Sequence, residues 1–237
     1  GDVYKRQTLN AETARQIYET NYQFAKPPEK PSLTVVPGDE KVTLFWDDIA
    51  ESSYDPISEE YDFEGYVIYR STDPSFLDQQ NITDVNGSRF LFEPLKTSTG
   101  GWAKFDLINE YQGPSDIPYS GRGVAYHLGN NTGLVHSFID SNNVINGQRY
   151  FYAIAAYDHG TRVMNIGPSE SSKTITLNPE TNEIFLDVNT ASVIPRAPAA
   201  GYSIGSWEMI DSVAFIDHIS GSGTGELLDL VSSKINN

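Results

Sequence analysis

Several stretches of this chain alternate apolar and polar positions with a period of two, and turn-forming residues separate them. The longest is YFYAIAAYD, Tyr150 to Asp158. There Tyr150, Tyr152, Ile154 and Ala156 fall on one face and Phe151, Ala153, Ala155 and Tyr157 on the other. A run of aromatic and β-branched residues with this period predicts a strand. Both faces are apolar, so a central strand covered on both sides is expected. In Lys41 to Asp47, Val42, Leu44 and Trp46 alternate with Thr43 and Phe45, which assigns Trp46 to a core face. In Asp62 to Ser71, Tyr66, Ile68 and Arg70 alternate with Val67 and Tyr69. Ser32 to Val36, Leu134 to Asp140, Glu170 to Leu177, Glu183 to Val193 and Val213 to Ile219 are predicted as further strands.

Breakers divide the rest. Thr8 to Ala25 reads as a short helix, with Asn10 as N-cap and Ala14, Ile17, Tyr18 and Tyr22 at helical spacing. Three prolines within Lys26 to Pro31 stop it and predict an extended linker. Residues 71–133 contain four glycine-rich turns around short aromatic runs. So long a connection is expected to form an ordered cap or an extra hairpin. Pro195 to Tyr202 reads as a second hinge, leading into residues 203–237 as the opening of another β-domain. The first seven residues, GDVYKRQ, resemble translated sequencing-adapter sequence and are set aside from fold reasoning. The chain is accordingly expected to be a fragment.

Four landmarks in order carry a family resemblance: the Trp46 strand, the Tyr-x-Ile-Tyr-Arg strand ending at Arg70, the Ile145-Asn146-Gly147 approach to Tyr150, and a last strand after Gly167-Pro168-Ser169. Together they resemble a fibronectin type III domain. That resemblance implies an all-β, immunoglobulin-like sandwich over about residues 31–177, with a long insert at about 71–133 between its strands C and E. It also implies a tyrosine corner, in which the Tyr150 hydroxyl bonds back to the preceding turn. The structural residues implied are Trp46, Tyr66, Tyr69, Ile145, Gly147, Tyr150 and Tyr152. The arrangement as a whole resembles large exported multidomain proteins of Bacteroidetes-related and Ignavibacteria-like bacteria, many of them secreted by the type IX route.

Composition narrows the function classes. The chain has 237 residues, 14 tyrosines, no cysteine and a net charge of −16. Disulfides and thiolate metal sites are therefore excluded. Nucleic acid is not an expected partner, because 16 scattered basic residues supply no phosphate-binding patch. No run of 18 apolar residues predicts a membrane span, and no signal peptide is read.

Candidate chemistry is sparse. Asp47, Asp48, Glu51 and Asp55, with Asp62 and Glu64 following, place hard oxygen ligands in one loop, where calcium would be the one cofactor expected. Their spacing fits no EF-hand loop, and a solvated acidic loop is the competing reading. Nothing marks one acid of a glycosidase pair, and His127, His136, His159 and His218 show no metal-ligand spacing. Trp102, Tyr111 and Tyr119 in the insert are candidate binding residues for a glycan or a protein surface, against a bland reading as core of the cap. The expectation is a non-catalytic structural or adhesive module of an extracellular or cell-surface protein, with neighbouring domains of its own chain as partners. The alternative is a carbohydrate-binding accessory module of a secreted hydrolase.

Overall fold

The structure, a computed structural model, describes residues 26–119, 121–199, 201, 206–209 and 216–220. The helix expected over residues 8–25 lies outside the described residues. The chain divides after Arg196 into two units.

In the first unit the strands are β1 (Leu33–Gly38), β2 (Lys41–Trp46), β3 (Phe63–Ser71), β4 (Ile82–Thr83), β5 (Arg89–Leu91) and β6 (Lys104–Asp106). They continue with β7 (Pro114–Pro118), β8 (Ala125–His127), β9 (Ser137–Asp140), β10 (Tyr150–Asp158), β11 (Ile175–Leu177), β12 (Ile184–Leu186) and β13 (Thr190–Val193). Two antiparallel sheets organise them, one ordered β1-β2-β9 and the other β13-β10-β3-β6. Val42, Leu44 and Trp46 of the first sheet share one buried cluster with Tyr66, Ile68, Tyr150, Tyr152, Ile154 and Ala156 of the second. This is consistent with a β-sandwich. The Trp46 ring meets Tyr66 edge-on at 5.8 Å and stacks on Phe105 at 6.1 Å.

Every residue of β10 is buried, because the second sheet is covered on both faces. Its other face presents Val67, Tyr69, Phe151, Ala153, Ala155 and Tyr157 to Phe76, Tyr126 and Leu128 of the insert. The insert is thus a third layer, built from the β4–β5 and β7–β8 hairpins. Its turns are fixed by short polar side chains. Asp84 accepts the Asn86 and Ser88 amides, each at 2.9 Å, around Gly87, and Asp106 accepts the Thr132 amide at 2.9 Å.

The tyrosine corner is present. The Tyr150 hydroxyl accepts the Ile145 amide at 3.0 Å, and Gly147 takes the turn at φ +84°, where an L side chain is strained. The apolar anchor is displaced by one residue from the expectation: Ile145 is 64% exposed while Val144 is buried. The Ile145 amide is spent on the tyrosine, which turns its own side chain outward.

The last strand also differs from expectation. Glu170 bridges only Tyr157 and the Ser171 amide bonds to Ala156. The chain then leaves as the β11–β12 hairpin, and the edge beside β10 resumes at β13, where Tyr150 faces Val193. The sheet therefore runs on beyond Leu177 to Val193, and residues 183–193 are two strands rather than one extra strand. Asn189, fully buried, closes the gap: its Nδ2 donates to Ile154 O at 2.8 Å and to Ser172 O at 3.0 Å.

In the second unit β14 (Ser206–Met209) pairs antiparallel with β15 (Ile216–Ser220). Among the described residues no helix is long and apolar enough to cross a membrane.

Candidate functional site

Burial on both faces of one sheet forces polar groups of the insert layer into an apolar setting, where they must find partners. Lys104 on β6 is the clearest case. Its ammonium lies 3.9 Å from the Tyr126 ring centroid and 4.0 Å from that of Tyr157, and donates to the His127 carbonyl. Loss of water pushes this amine down to about 7, against the pull of Glu170, Asp106 and Glu64. Glu170 accepts the Tyr69 hydroxyl at 2.8 Å and the Tyr126 hydroxyl at 2.6 Å. Lys173 lies 3.8 Å from Glu170 and over the Tyr69 and Phe92 rings at 4.1 and 4.2 Å. Two lysines, one carboxylate and four aromatic rings thus form one cation–π ladder between the second sheet and the insert.

Sequence reasoning missed Lys104 and Lys173. A lysine between Ala103 and Phe105 reads as an outward position, and only the density of aromatics nearby hinted at a cage.

A second group lies where β3 begins and β10 ends. Asp62 is pushed up to about 7 by burial first, then by Asp158 and Asp55, and one oxygen of its carboxylate has no partner. Asp158 is pushed up to about 6, again by burial first, although the Gly160 and Ser169 amides bond to it at 3.0 and 2.9 Å. Glu64 is pushed up to about 7 by burial and holds the Asn109 amide at 2.9 Å.

The four loop acids expected to converge on calcium separate. The Tyr66 hydroxyl donates to Glu51 at 3.2 Å and reaches the Asp47 backbone carbonyl at 3.4 Å. The Asp47 carboxylate accepts the Ser32 amide at 3.0 Å, and Asp48 leads the short 3-10 turn that carries Glu51. Glu51 is also 2.7 Å from His136. Asp55 is buried instead, accepts the Ile57 amide at 2.7 Å and acts on Asp62 and Asp158. Among the described residues no group of three or more His, Asp or Glu side chains is arranged to hold a metal ion.

The three aromatic candidates also separate, each lining a different concavity. Tyr111 stacks on His159 with centroids 3.9 Å apart and ring planes 9° from parallel. Tyr119 meets Phe90 edge-on at 5.5 Å and packs against the insert core. Trp102 is 40% exposed at the mouth of a cleft of about 490 Å³ and meets His127 perpendicularly at 6.0 Å. The structural residues behave otherwise: Trp46, Tyr66, Tyr69, Tyr150 and Tyr152 are all buried.

Comparison with protein families, with characterised proteins and with solved structures found no match for this chain, so the reading of the site stands on its geometry.

Proposed function

We propose that this chain is a non-catalytic structural or adhesive module, of the fibronectin type III kind, belonging to a cell-surface or secreted bacterial protein. It spaces or presents neighbouring domains of the same chain. The observation that carries this reading is the use made of the buried carboxylates. Asp140 accepts Arg70 at 2.8 Å and the Tyr152 hydroxyl at 2.6 Å. Asp106 accepts the Asn131 and Thr132 amides and the Thr132 hydroxyl. Asp84 accepts two turn amides and Arg122. Carboxylates committed in this way tie loops to strands and rigidify the module.

The sheet orders β1-β2-β9 and β13-β10-β3-β6, with the Tyr150 corner at the start of β10, support the family part of the proposal. The net charge of −16 suits a module that must stay soluble among copies of itself. Recovery of the full open reading frame from the source DNA tests the proposal. Tandem β-sandwich domains ending in a sorting domain are the expected result. A catalytic domain directly adjoining this one overturns the spacer role.

A further inference from the structure

We propose that the cleft beside Trp102 binds a neutral saccharide, with the indole as the platform for one sugar ring. Of the three candidate aromatic residues, Trp102 alone combines a ring uncovered by a parallel neighbour with substantial exposure. One face of Tyr111 is taken by His159, and Tyr119 is drawn into the insert core. The perpendicular contact between Trp102 and His127, at 89°, holds the indole in place without a parallel ring over either face. An amphipathic ring held this way gives contact area at little ordering cost.

Both walls of the cleft are built before any ligand arrives. On one side Trp102 bridges Lys96, the Thr97 amide bonds to Gly101 O at 2.7 Å, and the Gly100 amide bonds to Thr97 O at 2.9 Å. On the other, Thr132 is clamped to Asp106 through its amide and hydroxyl at 2.9 and 2.6 Å. Gly129 approaches so closely that a Cβ there would lie 2.2 Å from the Asp106 carboxyl carbon, so this wall rests directly on the edge of β6. A cleft of about 490 Å³ falls within the range of small-molecule sites.

The chemistry of the lining selects the ligand class. Asn130 supplies an amide that both donates and accepts, and Thr99, whose hydroxyl pairs with that of Thr97 at 2.9 Å, supplies a further acceptor. The Asn130 side chain is exposed and makes no hydrogen bond to any described residue. None of the described residues lining the cleft turns a free charge into it. Lys104 borders it, but its ammonium is turned under Tyr126 and Tyr157. His127 is held below its ordinary range by burial and by Lys104, so its imidazole is neutral at pH 7. A chain of net charge −16 repels polyanions at a distance. Alternating hydroxyls and an apolar ring face on an uncharged ligand describe a neutral sugar.

The test uses the ¹⁵N-labelled full chain, titrated with gluco-, xylo- and manno-configured hexasaccharides at millimolar concentration. The Trp102 indole N–H signal is identified by its loss in Trp102→Phe. With at least one hexasaccharide it is expected to shift saturably while the buried Trp46 signal stays in place. Trp102→Ala is expected to weaken binding about tenfold or more with unchanged thermal melting, and Asn130→Ala to weaken it severalfold. The proposal is overturned if no hexasaccharide moves the Trp102 signal, if Trp102→Ala binds like the parent, or if a uronate oligosaccharide of equal length binds as well. Such a failure leaves the spacer role standing, because the open reading frame decides that separately.

Discussion

Asn189 pairs with Ile154 twice, once through its backbone and once through its side chain. Its carbonyl accepts the Ile154 amide at 3.0 Å, and its Nδ2 donates to the Ile154 carbonyl at 2.8 Å. One residue therefore satisfies both backbone groups of Ile154 at the point where the edge strand is broken by the β11–β12 hairpin. The same Nδ2 reaches Ser172 O, so the two broken ends are joined by one amide. Asn189→Ala would orphan the buried Ile154 carbonyl and release the carbonyl of exposed Ser172, and is expected to cost about 1–3 kcal/mol. Urea unfolding should show a lower midpoint with an unchanged slope.

The Arg70–Asp140–Tyr152 set is the second place to cut. Asp140 is 1% exposed, and its removal leaves the Tyr152 phenol without its acceptor and the Arg70 guanidinium with the Asn142 carbonyl but no counter-charge. Asp140→Ala is expected to cost about 3–5 kcal/mol, as other broken buried pairs do, and thermal melting will measure it.

Tyr150→Phe removes the acceptor of the Ile145 amide and a long 3.5 Å donation to the Asn143 carbonyl. The expected loss is about 1–2 kcal/mol. An unchanged melting temperature would remove the corner from the list of what holds this sandwich.

Stability should rise as pH falls from neutral to mildly acid. Asp62 and Glu64, each pushed up to about 7, and Asp158, pushed up to about 6, bind protons more tightly folded than unfolded. Their contribution favours the fold at acid pH and is lost as pH rises from about 4 through those folded values. Lys104 is displaced the other way, to about 7, so its charging penalty is already complete below that pH. Between about pH 7 and 5 the three carboxylates favour the fold as they bind protons, while His127 and His159, held below their ordinary range by burial, oppose it. The carboxylates outnumber the imidazoles, and the melting temperature should climb. Below about pH 4 it should fall again as Asp73, Asp84 and Asp187, held below the ordinary range by hydrogen bonds, take up protons. Asp62→Asn should raise the melting temperature at alkaline pH and flatten the climb.

Lys104→Met tests the ladder. Exchanging a buried amine for an apolar chain of similar length is expected to be neutral or stabilising by about 1–2 kcal/mol. The His127 carbonyl loses a donor in the exchange, so a destabilisation larger than about 1 kcal/mol would show that the cation–π contacts outweigh the dehydration of the amine.

The alternation of β2, β3 and β10 was legible because burial on opposite faces writes itself into odd and even positions. Tyr66 and Ile68 fall in one core and Val67 and Tyr69 in the other, as the spacing predicts. The four insert turns were legible from Gly, Asn and Asp. The broken edge strand was not: Asn189 imitates a strand neighbour with a side-chain amide, and no periodicity records that. Nor was the burial of Lys104, since a lysine between apolar residues carries no mark of the direction its stem takes. For the same reason the loop acids looked like one group, although Asp55 turns inward to Asp62 while Glu51 stays with Tyr66. The three aromatic candidates lie within residues 71–133, but nothing in their spacing distributes them over three concavities.

The pairing of β3 with β10 sets the pace at which this molecule can assemble. Ile68 must find Ile154 across the whole insert, and neither face of that pair is shielded until β2 and the insert hairpins have arrived. Closing so long a loop before its contacts are rewarded makes the search slow. During that search an aromatic-rich strand is left open on both sides. During synthesis β2 and β3 wait on a strand that emerges only after the whole insert, so a chain halted before β10 would expose sticky strands with nothing to cover them.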